Sequence, residues 1–400
     1  MKAKPLRIAI VGCGTAGPAA AVLLSRLGHE VVLFERAEQC KAVGAGFLLQ
    51  PPGMDVLKEL GILDEVLAHA AKVDRLHVLN ADGDTLLDLN YHELGQGSFG
   101  AGLHRPVLLH HLIRVMLAEN VEVRWGWEIE KVLRTENRWT LETAQGDACG
   151  GFDLLVVADG ARSKLRDLAG THGVNRGYPW GAHWFIGEND GVFPENELYQ
   201  VVRGTRKLGG FLATGRDLDG GAPLVSLFWS IKIADDAAWR TRPIDEWKEE
   251  ILALCPKAAG LLSQITGWDQ VLTARYGDVR MRRWHADGIV VLGDAAHAMS
   301  PQLGQGVNLA LADASCLAAC LARHPLPGAL AAYQRRRWLA LRYYQLATRW
   351  LTPWFQSDHE WLNPIRAVFF GVTGRVSWAR RLMTLSMAGW VGSGWRPSGK

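Results

Sequence analysis

The stretch Leu6–Arg36, LRIAIVGCGTAGPAAAVLLSRLGHEVVLFER, decides the fold. Its apolar run Ile8–Val11 is long enough for one buried parallel strand. Gly12-Cys13-Gly14-Thr15-Ala16-Gly17 follows and fits G-x-G-x-x-G. Pro18–Leu27 reads as a helix of small and branched apolar residues, stopped by Gly28. A second apolar run, Val31–Phe34, ends on Glu35, with Arg36 behind it. This is a β-α-β unit with an acid at its far end. Gly12 permits the tight strand-to-helix turn, Gly14 leaves room for a pyrophosphate against the backbone, and Gly17 lets the helix pack close. The helix start, at Thr15, Ala16 and Gly17, offers unpaired N–H groups and the positive end of a dipole, which suit an anion. Glu35 can accept hydrogen bonds from ribose hydroxyls. A dinucleotide is therefore expected, and this motif alone does not choose between FAD and NAD(P).

The rest of the composition narrows the class. The 400 residues suggest two or three domains, or one interleaved pair. A net charge of +3 is too small to argue for nucleic acid. No apolar span is long enough for a membrane helix, and the N-terminus enters the first strand at once, so no signal peptide is expected. Cys13, Cys40, Cys149, Cys255, Cys316 and Cys320 are scattered without a C-x-x-C, which fits reduced cytosolic thiols. His110 and His111 are adjacent on an expected helix and point apart, so no metal is expected.

Along the chain, Val43–Gln50 reads as a glycine-bearing loop, followed by a helix Met54–Leu60. Asp74–Asn80 and Asp84–Leu89 form a hairpin around Asp82-Gly83. Leu103-His104-Arg105-Pro106 opens a helix over Val107–Ala118, with Pro106 near its first turn. Val121–Trp125, Trp127–Leu133, Trp139–Thr143 and Gly151–Ala158 follow as strands. From Tyr178 to Trp229 short alternating segments predict an antiparallel sheet with one wet face. Helices are expected over Ile244–Cys255 and Lys257–Ile265, and Ile289–Leu292 is another buried strand.

Two further motifs stand out. Asp153–Ser163, DLLVVADGARS, carries a buried strand into an Asp159-Gly160 turn, with Arg162 and Arg166 placed to meet a phosphate. Ile289–Asn308, IVVLGDAAHAMSPQLGQGVN, carries a strand into Gly293-Asp294 and a loop through Pro301, and Gly304 and Gly306 then open a helix Val307–Cys320. Asp294 suits a ribityl hydroxyl, and the N–H groups after Pro301 suit negative charge on a flavin ring at a helix start.

These three motifs, in this order, resemble the single-component FAD-dependent aromatic hydroxylases, the family of para-hydroxybenzoate, salicylate and ubiquinone-pathway hydroxylases. The resemblance spans Leu6 to about Arg337. It implies an α/β fold: a discontinuous Rossmann-like FAD-binding domain, an inserted mostly antiparallel β-sheet substrate domain, and a helical C-terminal region. The implied divisions are FAD-binding pieces over 1–73, 101–175 and 276–334, a substrate-domain hairpin over 74–100, a substrate domain over 176–275 and a helical cap over 335–400. It also implies site roles. Gly12, Gly14 and Gly17, with Thr15 and Ala16, would seat the FAD pyrophosphate. Glu35 would hold the adenosine ribose, with Arg36 beside it. Arg105 resembles the arginine that reaches FAD, and Asp159 and Gly160 match a motif implicated in FAD and NAD(P)H binding. Asp294 matches the ribityl-binding aspartate. Pro301 would lie beside the isoalloxazine, and Gly304, Gln305, Gly306, Val307 and Asn308 would contact its pyrimidine edge. Pro301, Gly304 and Gly306 thus form the reacting environment, with no acid or base assigned; His297 is read as structural.

Candidate substrate-pocket residues are Phe47, Leu49, Trp184, Phe211, Trp229 and Pro301, although core packing explains the aromatic ones as well. The tail carries Trp338, Trp350, Trp354, Trp361, Trp378, Trp390 and Trp395. Between them lie Arg335, Arg336, Arg337, Arg342, Arg349, Arg366, Arg375, Arg380, Arg381 and Arg396, with Asp358 and Glu360 the exceptional acids. Such a region suits an anionic membrane surface or a cap over the substrate site. The implied activity is an NAD(P)H- and O2-dependent FAD monooxygenase. It would hydroxylate an aromatic or otherwise electron-rich, lipophilic small molecule through a flavin C4a-hydroperoxide. The expected setting is cytoplasmic, with peripheral membrane contact as a further option. The alternatives are a flavin-dependent reductase or dehydrogenase acting on isoprenoid chains, and a non-catalytic flavoprotein. A W-x-W-x-I-P segment, expected of a flavin halogenase, is absent.

Overall fold

Ile8, Ala9 and Ile10 have no exposed surface, because parallel strands flank Arg7–Val11 on both sides. Glu30–Glu35 lies on one side and Leu154–Val157 on the other, in the computed structural model, which describes residues 4–39, 44–169 and 174–392. Cys40, Val43, Trp395 and Arg396 lie outside the described residues. The full six-stranded order is His285–Ala286, Ile289–Val291, Leu154–Val157, Arg7–Val11, Glu30–Glu35, Glu122–Trp125. All neighbours pair in parallel except the first two. Continuous apolar strands of this kind are covered on both faces. The helices Ala16–Arg26 and Gly306–Leu321 pack with them in one core.

A seven-stranded sheet accompanies it, in the order Leu272–Arg280, Val174–Glu188, Gly220–Lys232, Lys207–Asp217, Glu197–Arg203, Arg75–Asn80, Thr85–Asn90. It is antiparallel except where Glu197–Arg203 meets Arg75–Asn80. These strands are longer than the alternating segments suggest, and the expectation of one wet face is corrected. Phe211, Leu227 and Trp229 face the helices Ile244–Leu252 and Ala259–Ser263. Ala182, Leu208 and Ser226 point the other way and are buried too. Strand register explains this: both faces are roofed, so polar residues no longer mark the solvent side.

Three other expectations change. Gly151–Ala158 is two strands, Ala148–Phe152 and Leu154–Val157, in different sheets. Asp153 marks the break: its N–H donates to the Arg7 carbonyl (2.7 Å) and its Oδ2 accepts from the Arg7 N–H (2.9 Å). The loop expected over 43–50 contains a strand, Gly46–Leu49, paired with an unforeseen strand Gly100–His104. Both strands press on the large sheet where a side chain is missing. A Cβ on Gly46 would stand 2.3 Å from Thr214 Cγ2, and one on Gly102 would stand 1.8 Å from the Ala213 carbonyl oxygen. The helix Leu326–Phe355 runs through the division at 334/335, and Leu272–Arg280 runs through the one at 275/276.

One buried polar knot ties the parallel sheet to the helices behind it. Asp313, on Gly306–Leu321, has no exposed surface. Its Oδ2 accepts from the Gly293 N–H (2.9 Å) and meets His297 Nε2 (2.6 Å), while Oδ1 accepts from Arg337 Nε (2.7 Å). Burial alone would raise this carboxyl, but His297 and Arg337 outweigh it and hold the value down to about 2. The knot fixes the Gly293 turn, which has φ +57°.

Two outcomes follow from this packing. Gly102→Ala forces a methyl onto the Ala213 carbonyl and lowers unfolding stability in urea by about 1–3 kcal/mol. Asp313→Asn leaves Arg337 buried without a charge partner and costs roughly 3–5 kcal/mol at neutral pH. The Asp313 contribution is present in full above the ordinary carboxylate range and is lost as pH falls through about 2. Acid titrations of stability therefore lose that part of their slope in the variant.

Candidate cofactor-binding site

The three motif loops meet at the carboxyl ends of adjacent parallel strands. Gly12, with φ +107°, turns out of Arg7–Val11 beneath the neighbouring strand end: a Cβ there would stand 2.4 Å from the Ala158 carbonyl oxygen. A Cβ on Gly17 would stand 1.9 Å from the Gly12 carbonyl oxygen, so the helix Ala16–Arg26 sits directly on the turn. Thr15 is the residue before that helix, and Ala16 is buried inside it. Ala16 Cβ lies 3.4 Å from the Cβ position of Gly293, which brings the first and third motifs into contact. Gly14 is different: nothing lies within 4 Å of its Cβ position.

Glu35 stands at the end of Glu30–Glu35. Its Oε2 accepts from the Cys13 N–H (2.7 Å) and its Oε1 from the Ala37 N–H (3.0 Å), which locks the carboxylate beside the glycine loop with lone pairs to spare. Arg36 is exposed just beyond. Arg105 begins the helix Arg105–Ala118, and its side chain lies where a Cβ on Gly44 would be 2.8 Å from its Cδ.

At the second motif, Asp159 Oδ1 is buried without a hydrogen bond, and burial pushes the carboxyl up from its ordinary value. Gly160, with φ +82°, has nothing within 4 Å of its Cβ position. Arg166 is 3% exposed, and its Nε and Nη1 have no partner. Burial lowers its pKa, and the charges of Asp159 and Asp294 oppose that shift. The buried guanidinium thus feels the charge of acids from both the second and third motifs, and of Asp167.

At the third motif, Asp294 is exposed at the start of the turn Asp294–His297, with Oδ1 3.8 Å from the Cβ position of Gly306. Pro301 opens a 3-10 turn, and Gly304 (φ +62°) has open space around its Cβ position. Gly306 and Val307 begin the 16-residue helix Gly306–Leu321. The amide side chains of Gln305 and Asn308 are corrected from ligand contacts to scaffolding. Gln305 Nε2 donates to the Leu303 and Met387 carbonyls (3.0 and 2.7 Å). Asn308 Oδ1 accepts from the Gln50 N–H (2.8 Å), and its Nδ2 donates to the Leu48 and Gly304 carbonyls (3.2 and 3.1 Å). Gln305 Oε1 has no hydrogen-bond partner among the described residues, so that position keeps one side-chain acceptor besides its backbone N–H.

A cavity of about 330 Å³ opens beside Gly44 and Ala45. Trp184, Ile186, Leu224 and Leu272 form its apolar walls, and His104 with Asp217 its polar end, Nδ1 to Oδ1 3.6 Å. Burial lowers the His104 pKa, and Asp217 opposes that shift. Of the expected pocket residues, Trp184 lines this cavity. Phe211 and Trp229 are corrected to the core on the opposite sheet face, and Leu49 is buried in the parallel-sheet core with Phe47 packed against it. The Asp313–Arg337 pair was not foreseen. Its only trace in the sequence is one acid inside an alanine- and leucine-rich helix.

The open space over Gly14, Gly160 and Gly304 and the unpaired polar atoms of Asp159 and Arg166 fit a bound dinucleotide. A family model described as FAD binding domain matches residues 6–340. The chain is 29% identical over 339 residues to the 3-amino-4-hydroxybenzoate 2-monooxygenase of Streptomyces cremeus, covering 80% of each chain. It is 27% identical to the putative 2-heptyl-3-hydroxy-4(1H)-quinolone synthase AqdB1 of Rhodococcus erythropolis, covering 92% of each. The crystal structure of PqsL, a probable FAD-dependent monooxygenase of Pseudomonas aeruginosa, superposes with TM-score 0.79 at 25% identity, over 92% of this chain and 100% of that one. PqsL has also been solved with 2-aminobenzoylacetate. Three converging loops, a conforming donor set and a match across most of its length make this chain a member of the FAD-binding family of aromatic-ring monooxygenases.

Proposed function

We propose that FAD lies across the carboxyl ends of the parallel strands and that the chain uses NADH or NADPH with O2 to hydroxylate a small, lipophilic, electron-rich ring compound. The observation that carries this reading is the contrast among the glycines. Gly12 and Gly17 are filled by neighbouring backbone, while Gly14, Gly160 and Gly304, one from each motif loop, have nothing within 4 Å of their Cβ positions. The N–H groups of Gly14 to Gly17 would meet the pyrophosphate, helped by the dipole of Ala16–Arg26. Glu35, with Arg36 beside it, would take the adenosine ribose, Asp294 the ribityl chain, and Arg105 and Asp159 the adjoining polar edge. The N–H groups of Gly304 to Val307 would stabilise negative charge on the ring's pyrimidine edge from a helix N-terminus. Pro301 would lie beside the ring.

FAD, when bound, supplies hydride acceptance from the nicotinamide and activation of oxygen. The chain's own residues bind, orient and exclude water. The cavity beside Gly44 is of a size for one or two fused rings, with Trp184 and Leu272 against the ring face and His104 and Asp217 toward a polar substituent. Ring compounds bearing an amino, hydroxyl or acyl group, as in the names of the relatives, fit that division. We place the enzyme in the cytoplasm, with peripheral membrane contact through the C-terminal helices; no described helix is long and apolar enough to cross a membrane.

Phenols, quinol precursors and polyketide-like rings, screened for stimulated NAD(P)H oxidation under labelled O2, test the reaction. Incorporation of one labelled oxygen atom per product supports hydroxylation. A hydrogenated product without oxygen supports the reductase alternative, and absence of any turnover supports a non-catalytic flavoprotein. Asp294→Ala removes one charged hydrogen-bond partner and weakens FAD binding by roughly ten- to a hundredfold, with turnover lost. Equilibrium dialysis against FAD reads this, and unchanged retention with full activity contradicts the role of Asp294.

A further inference from the structure

The C-terminal helices carry an apolar surface that the protein does not cover. On Leu326–Phe355, Leu339, Leu346 and Trp350 fall on one stripe, seven and then four residues apart. On the next helix, Leu362–Thr373, Ile365 and Val368 share a face, with Trp361 one turn before. These six side chains are between 47% (Ile365) and 68% (Val368) exposed, far from the burial such residues ordinarily seek. The two stripes join where the Trp350 ring meets Phe369 of the second helix, 5.4 Å between centroids. The third helix, Ser377–Met387, repeats the pattern with Trp378 and Leu382.

The charge these helices carry is mostly of one sign, and the acids beside them, Asp88, Glu93, Asp358 and Glu360, each pair with an arginine. Arg335 and Arg336 lie one turn before Leu339 on the same face, and Arg375 and Arg381 flank Trp378. All four are exposed, and none makes an ion pair among the described residues. Other arginines of the tail are engaged: Arg337 with Asp313, Arg349 with Asp278, and Arg380 with Glu93, while Arg366 donates to the Gly204 and Trp354 carbonyls. Asp358 and Glu360, the sole acids between 335 and 392, both face Arg206.

We infer that this surface docks on the headgroup region of an anionic phospholipid membrane. Indole rings and branched aliphatics enter the interface while unpaired guanidinium groups meet the phosphates. A second copy of the chain is a poorer occupant, because both copies would bring the same excess of unpaired arginines to the contact and neither the acids to match it. The same helix also reaches the loop of the third motif: Thr352 Oγ1 and Ser300 Oγ are 2.7 Å apart, next to Pro301. Docking would therefore hold the candidate site close to a membrane that dissolves lipophilic rings. The inference rests on the peripheral-contact part of the function proposed above and adds the surface and the lipid charge.

Co-sedimentation of the FAD-loaded protein with phosphatidylcholine vesicles, with and without added phosphatidylglycerol, tests it. The expected result is at least about tenfold more protein bound to the anionic vesicles, falling as salt is raised. Leu346→Ser with Val368→Ser should abolish binding, and Arg335→Gln with Arg336→Gln should remove most of the preference for anionic lipid, both with unchanged flavin content. Equal binding to both vesicles, or binding unaffected by these substitutions, overturns the surface while leaving peripheral contact standing. No binding to either vesicle removes peripheral contact as well. A dimer that Leu346→Ser with Val368→Ser dissolves in the absence of lipid makes the surface a self-association face and also overturns the inference. None of these readouts depends on turnover, so the monooxygenase reading is tested apart from it.

Discussion

Everything at the candidate site depends on the direct contact of backbones at Gly12. Its missing side chain lets the turn out of the first strand lie against Ala158, and Gly17 lets the first helix lie on that same turn. With a Cβ at either place, the contacting backbones would have to move apart, and the close approach of the two loops would be lost. The contact from Ala16 to Gly293 adds the third loop. The glycines of this motif thus do two jobs: some close the fold, and others leave space in front of it.

The third loop needs its own anchor, because it is followed by a turn of only a few residues before the next helix. Asp313 provides it from behind, gripping the Gly293 N–H while His297 and Arg337 satisfy its charge. His297 is itself buried and pairs with Asp313 through Nε2, so it belongs to the same knot. Arg337 comes from the long C-terminal helix, so that helix is joined to the cofactor side at one end. Near its other end it touches the loop before Pro301 through Ser300 and Thr352.

Much of this was legible in the sequence where a residue type has one local reason to be present. The strand, glycine turn, small-residue helix and terminal acid of 6–36 are such a case, and so are the Asp82-Gly83 hairpin and Pro106 in a first helical turn. What was hidden depends on partners distant in sequence. Phe211 and Trp229 look like pocket aromatics until register puts them on the sheet face opposite Trp184. Gln305 and Asn308 look like ligand contacts until Met387 and Leu48 occupy them. Gly46 reads as a loop glycine and Gly102 gives no signal at all, yet both are where strands press on a second sheet. Gly151–Ala158 read as one strand because the apolar run gives no sign that Asp153 binds the Arg7 backbone on both sides. The arginines of the tail looked alike as well, and only structure separates buried, paired ones such as Arg337 from exposed ones such as Arg335.

The central claim is that three separated segments grip one flavin. The absorbance of the purified chain, with the flavin released on denaturation identified and counted, tests it most directly. The account predicts a yellow protein that releases FAD in proportion to chain, or takes it up to that level when supplied. A colourless protein that releases no flavin and acquires none would contradict it.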